Sequence, residues 1–311
     1  MNSISVSYMR EYLSKSISSL NRNKLNGILS EVDFRNYVSS IGFEQRVSAG
    51  GWIARCEGPG NFSHHIVAFF PEVICPDQNY SPSRELPDPP HGLHTICSTL
   101  HQIGIHSYFC TPKIVNNNVD WSYIQLGLPT KQPYLTFPDN ISGFNERTRK
   151  YNFLKYKTDV SSIPTHSLPE EFSKESLRVT FQNKYLAEIS DIDGIIWGNQ
   201  FTYPIEIKEK TVANDRRIGD YFGLDIGPFV KLAFYAAKRG NLHSLYVVRE
   251  IDDVESRNLV NWWCITFDKM AQFASWVYSE GGRNMQGGRS ATVKIPKAEF
   301  DHFNITLLNR L

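Results

Sequence analysis

Between positions 188 and 210 the chain reads EISDIDGIIWGNQFTYPIEIKEK, and four of its residues have the types and spacing to handle a phosphate. Asp191 and Asp193 are two apart, as are Glu206 and Lys208. Side chains alternate along an extended strand, so each pair projects from one side. The runs IDGIIW (192–197) and YPIEIK (203–208) read as strands, with GNQ (198–200) as the turn that pairs them antiparallel. The acids of one strand then meet the acid and lysine of the other at a sheet edge. Converging carboxylates make a hard-oxygen site suited to Mg2+, and a lysine beside them adds a point charge for a phosphate or an attacking hydroxide. The chemistry that uses such a set is phosphodiester hydrolysis, where a divalent cation acidifies water and stabilises charge on the phosphoryl oxygens. The same residue types also serve as turn formers and as a solvated strand face, which is the competing structural reading.

The pattern Asp-x(12)-Glu-x-Lys across adjacent apolar strands resembles the PD-(D/E)xK nuclease superfamily, which includes most type II restriction endonucleases. Asp193, Glu206 and Lys208 carry the resemblance, which spans roughly 175–250. The proline often found before the family's aspartate is Ile192 here. An apolar strand usually follows that aspartate, as Gly194-Ile195-Ile196 does, which favours Asp193 and leaves Asp191 as an additional acid. The resemblance implies a restriction-endonuclease-like core with Asp193, Glu206 and Lys208 as catalytic residues. It also implies Mg2+ held at Asp193, Glu206 and Ile207. Family members commonly add an acid from an early helix, and Glu31 in SEVDFRNYVSSIGF fits that place. Ser30 fits equally well as an N-cap, with Glu31 or Asp33 as a first-turn acid that favours the helix dipole.

Three further segments could meet nucleic acid. KEKTVANDRR (208–217) places Lys210, Arg216 and Arg217 where they could reach phosphates beside the cleaved bond. GGRNMQGGR (281–289) carries Arg283, Asn284, Gln286 and Arg289, the types that read guanine and adenine edges, although a plain surface loop has the same composition. NERTRKYNFLKYK (145–157) interleaves basic and aromatic residues, as a backbone-tracking segment or an exposed helix would. Tyr221 and Asp225 are candidates for the same cleft, Asp225 also fitting a helix start. HGLHTICSTLHQIGIHSYFC (91–110) lacks the two close ligand pairs of a zinc site and reads better as a helix face.

The elements that must position these residues follow from patterning. Residues 25–41, 91–104, 227–240 and 268–282 have helical spacing or composition, and 64–75, 177–181, 242–251 and 262–267 read as strands. The stretch 76–90 holds five prolines and must be a loop. Interleaved strands and helices predict an α/β (α+β) fold with a central mixed sheet, and no internal repeat is visible. The expected division is an N-terminal region, 1–165, whose helix near 28–41 joins the core, and a nuclease core, 166–311.

Thirty-three Lys and Arg against 32 Asp and Glu leave a formal charge of +1, so a polyanion must be met by local patches. Five cysteines without a C-x-x-C pair, and no leader-like or membrane-length apolar run, lead to the expectation of a cytoplasmic protein without a membrane partner. No Gly-x(4)-Gly-Lys-Ser/Thr, G-x-G-x-x-G or G-x-S-x-G motif appears, so no nucleotide cofactor is expected. The expectation is a Mg2+-dependent, sequence-specific endonuclease acting on double-stranded DNA as a homodimer. The alternatives are a structure-specific nuclease of resolvase or repair type, hydrolysis of RNA or a small phosphate ester, and a non-catalytic DNA-binding protein.

Overall fold

The computed structural model describes residues 2–17, 22–56, 66–136, 152–153, 155–184, 187–237, 242–280 and 289–311. The chain opens with helices α1 (Val6–Ser16) and α2 (Arg22–Ser40), then β1 (Val47–Cys56), β2 (Ile66–Pro71) and α3 (His91–Gln102). Next come β3 (His106–Val115), β4 (Asn118–Leu126), β5 (Leu135–Thr136), α4 (Leu168–Lys184), β6 (Ala187–Trp197) and β7 (Thr202–Lys210). The remainder is β8 (Ala213–Asp215), β9 (Gly219–Asp225), α5 (Ile226–Ala236), β10 (Leu245–Ile251), β11 (Leu259–Thr266) and α6 (Phe267–Phe273). It ends with β12 (Ser275–Glu280), β13 (Arg289–Pro296), β14 (Asp301–His302) and α7 (Ile305–Arg310). The fold class is α/β. Two units form: residues 1–28 with 49–192, and residues 29–48 with 193–311.

Two elements differ from the sequence reading. LRVTF (177–181), predicted as a strand, is the end of α4. Its five residues are too few to separate a period of two from one of 3.6, and the buried Leu168 and Phe172 set the helical spacing upstream. The helix predicted over 268–282 stops at Phe273, and the β-branched and aromatic SWVYSE pairs with β13 instead.

In the first unit, β1 and β2 pair antiparallel, β2 and β3 parallel, β3 and β4 antiparallel, and β4 and β5 antiparallel. Phe69 of β2 packs against Tyr108 (5.6 Å) and against Phe181 of α4 (4.9 Å). Helix α1 presents Tyr8 and Tyr12 to Phe172, at 6.2 and 5.1 Å. Burial pushes the Glu175 carboxyl up, but hydrogen bonds and charge from Arg178 and Lys24 more than offset it and hold it below the ordinary range.

In the second unit, β6 and β7 form an antiparallel hairpin, with Gly194 opposite Ile205 and Trp197 opposite Thr202. Strand β10 lies parallel to β7, with Leu245 beside Ile205, and continues antiparallel to β11. Every residue of β10 is buried, as expected of an interior strand whose two faces are both covered. One face meets Phe34 and Val38 of α2, Trp262, Phe303 and Leu308. The opposite face meets Phe229 and Leu232 of α5, and Phe222, Leu224, Val293 and Ile295 of the small sheet ordered β12-β13-β9-β8.

The turn between β6 and β7 is tied down by main chain. Gly198 donates its N–H to Phe201, and Asn199 donates to the Leu311 carbonyl, both at 2.8 Å. A Cβ at position 198 would lie 2.1 Å from that carbonyl oxygen. Gly198→Ala should therefore lower the free energy of unfolding by about 1–3 kcal/mol, measurable by urea titration.

Candidate metal and phosphate site

The antiparallel register that sets Gly194 opposite Ile205 carries one step further to set Asp193 opposite Glu206. Alternation then gives β7 two characters. Tyr203, Ile205 and Ile207 enter the core shared with α2, and Glu206 and Lys208 project from the other side. Asp193 is 3% exposed and Glu206 is 1% exposed, and carboxylates so buried require compensating charge or hydrogen bonds.

The neighbouring residues supply both. Lys208 Nζ lies 2.5 Å from Glu206 Oε1 and 3.8 Å from Asp193 Oδ2. The Ile207 N–H donates to Asp193 Oδ2 at 2.7 Å. Lys231, on α5, brings its Nζ to 2.5 Å from Glu206 Oε2. Glu31 is buried on α2, and a carboxylate oxygen of it lies within 4.8 Å of one from Asp193. Glu206 has one oxygen on Lys208 and the other on Lys231, whereas Asp193 and Glu31 bring carboxylate oxygens close to one another. Converging carboxylate oxygens are the hard donors a dication takes. Ile207 can offer such an ion only its main chain, because its side chain is in the core.

Glu31 owes its orientation to a neighbouring network. Glu209 of β7 accepts from Arg249 (2.9 Å) and from Arg257 Nε (2.8 Å) and Nη2 (2.9 Å). Arg249 also lies 3.0 Å from Asp33 Oδ2, and the Ser30 hydroxyl donates to Glu209 at 3.4 Å. These contacts fix the rotation of α2 on both flanks of Glu31. Because α2 begins at Arg22, Ser30 is mid-helix and not an N-cap, and Glu31 and Asp33 are not first-turn acids. The cap alternative is therefore overturned.

Asp191 is half-buried on β6, two residues before Asp193 and so on the same side of the strand, and a carboxylate oxygen of it lies within 4.8 Å of one from Asp193. The other sequence candidates lie elsewhere. Lys210 is the last residue of β7. Arg216 and Arg217 are exposed in the turn between β8 and β9, where Arg217 donates its N–H to Asp215 at 2.8 Å. Tyr221, on β9, lies under Lys294 at 4.9 Å, and Asp225 takes the N-cap position of α5 without a side-chain capping bond. Arg283, Asn284 and Gln286 lie outside the described residues, as does the side chain of Arg289 and most of 145–157. Among the described residues no His or Cys joins a metal-sized ligand group, and burial pushes the Cys97 thiol up to about 12.

Sequence reasoning passed over Lys231. Its signal was available: IGPFVKLAFYA, the whole of α5, contains this one charged residue. A lone cation in an apolar helix that packs on a sheet needs an anion nearby. No family model, curated protein or solved structure matches this chain.

Burial lowers the pKa of Lys210 below the ordinary lysine value; Lys208 adds to this, while Asp225 and Glu206 only partly oppose it. The unfolded chain therefore holds that proton more tightly, so the cost is full below the folded pKa and vanishes above the unfolded value near 10.5. Lys210→Met should raise stability at pH 7, and the gain over wild type should shrink as pH rises toward 10.5, as followed by urea unfolding across pH.

Proposed function

We propose that this chain is a Mg2+-dependent endonuclease that hydrolyses phosphodiester bonds in double-stranded DNA at specific sequences, in the manner of a type II restriction enzyme. One observation carries the reading: two buried carboxylates opposed on adjacent strands, Asp193 and Glu206, share the ammonium of Lys208. A surface decoration would not be desolvated in this way. The spacing that resembles PD-(D/E)xK nucleases supports the choice of DNA as substrate and of a homodimer as the acting species.

Asp193, Glu206 and Glu31, with the main chain of Ile207, would hold Mg2+. When bound, the cation supplies Lewis acidity toward a phosphate oxygen and lowers the pKa of water. Lys208 bridges the two carboxylates and is about one-third exposed, so its ammonium can meet the phosphate and orient the attacking water. Lys231 holds the second oxygen of Glu206 and so sets the rotation of that carboxylate. The Ile207 N–H does the same for Asp193. Arg216 and Arg217, exposed at their turn, are available to phosphates farther along the duplex.

Purified protein incubated with Mg2+ and plasmid DNA should give discrete fragments. Asp193→Ala and Glu206→Ala should each reduce cleavage by about 10^2-fold or more while leaving the circular dichroism spectrum unchanged. Intact supercoiled DNA on several unrelated plasmids, with either Mg2+ or Mn2+, would overturn the assignment.

A further inference from the structure

Strand β7 carries a third charged residue on the side that bears Glu206 and Lys208. Side chains alternate along the strand, so Lys210, two positions past Lys208, projects with them. The parallel register sets Tyr246, Val248 and Glu250 of β10 beside Glu206, Lys208 and Lys210 in turn. Tyr246 and Val248 pack with α5 and the small sheet, which identifies the side concerned.

The two lysines differ in what balances them. Lys208 has Glu206 and Asp193 at 2.5 and 3.8 Å. Lys210 is half-buried, and among the described residues no carboxylate comes within ion-pair distance of it. The acid beside it in register is already engaged. Glu250 accepts from Lys297 Nζ at 2.6 Å with one oxygen and from Trp263 Nε1 at 2.5 Å with the other. Burial disfavours the Lys210 ammonium more than Asp225, at the exposed start of α5, favours it. A half-buried cation without a counter-ion weakens the fold. Beside a reactive centre, such a local cost marks the place where the charge of a ligand completes the site.

Two residues along a strand span about 6.5 Å, close to the step between successive phosphates of one nucleic-acid strand. A phosphate seated on Lys208 therefore has its chain neighbour within reach of Lys210. We infer that Lys210 holds the phosphate adjoining the scissile one, so that the centre acts on linkages inside a polynucleotide in preference to single phosphate esters. This rests on the nuclease reading above and narrows its substrate to two successive phosphates on the cut strand. Lys210 is then a positioning residue: it fixes the strand on the centre and reads no base.

The test uses duplexes that carry the site read from the plasmid fragments, with one or the other phosphate flanking the scissile linkage replaced by an uncharged methylphosphonate. With Mg2+, the wild-type chain should cut one of the two modified duplexes about tenfold more slowly than unmodified DNA. Lys210→Met, checked for folding by circular dichroism, should cut unmodified DNA about tenfold more slowly, and that same methylphosphonate should slow it further by no more than about twofold. Lys210→Arg, which keeps the charge, should follow the wild type. Wild-type cleavage indifferent to both replacements would overturn the inference. So would a Lys210→Met protein that cuts unmodified DNA at the wild-type rate, or one that loses the full tenfold again on the modified duplex. A folded Lys210→Met protein with no detectable cleavage would overturn it as well, since the lysine would then serve the scissile linkage itself. Absence of any metal-dependent cleavage by the wild-type chain would instead overturn the nuclease reading, and this inference with it.

Discussion

The second unit depends on how it compensates Asp193 and Glu206, two carboxylates with almost no access to water. Removing such groups from water costs several kcal/mol each unless charge and hydrogen bonds are returned. Here the compensation comes from three places at once: Lys208 on the same strand as Glu206, Lys231 from the crossover helix, and the main-chain N–H of Ile207. Two of these contacts also join elements. Lys231 attaches α5 to β7, and the Ile207 N–H couples β7 to β6 through the side chain of Asp193. Chemistry and architecture therefore share the same contacts.

A second layer holds the first. Arg249 on β10 and Arg257 beyond it converge on Glu209, and Arg249 also reaches Asp33 of α2. The Arg249–Asp33 pair and the Ser30 hydroxyl on Glu209 tie α2 to this network and favour one rotation of the helix about its axis. That rotation turns Phe34 and Val38 into the core and sets Glu31 beside Asp193. The helix lies far from β6 in sequence but is one of the parts that define the candidate site.

Much of the site was legible because it is built from short-range patterns. Two apolar runs with a tight turn between them specify a hairpin, and spacing by two puts Glu206 and Lys208 on one face. Asp193 follows from the pairing. What could not be read depends on contacts distant in the chain or on ambiguous short runs. Lys231 is recognisable as an oddity in α5, but its partner is known only once the helix crosses β7. LRVTF has strand composition yet continues a helix whose earlier turns set its period. The start of α2 decides whether Ser30 is a cap, and the residues near Arg22 give no strong N-terminal signal.

The alternation along β7 has an evolutionary consequence. Tyr203, Ile205 and Ile207 belong to the core and Glu206 and Lys208 to the opposite side, so a single-residue deletion just before Glu206 would exchange the two sets. Such a lineage would lose the fold together with the chemistry. Joint replacement of Glu206 and its lysine partners by apolar residues carries no such penalty, since it removes the desolvated charges together. Descendants of this architecture can therefore fall silent while remaining well folded, and silent ones would keep their shape long after their reactive groups had gone.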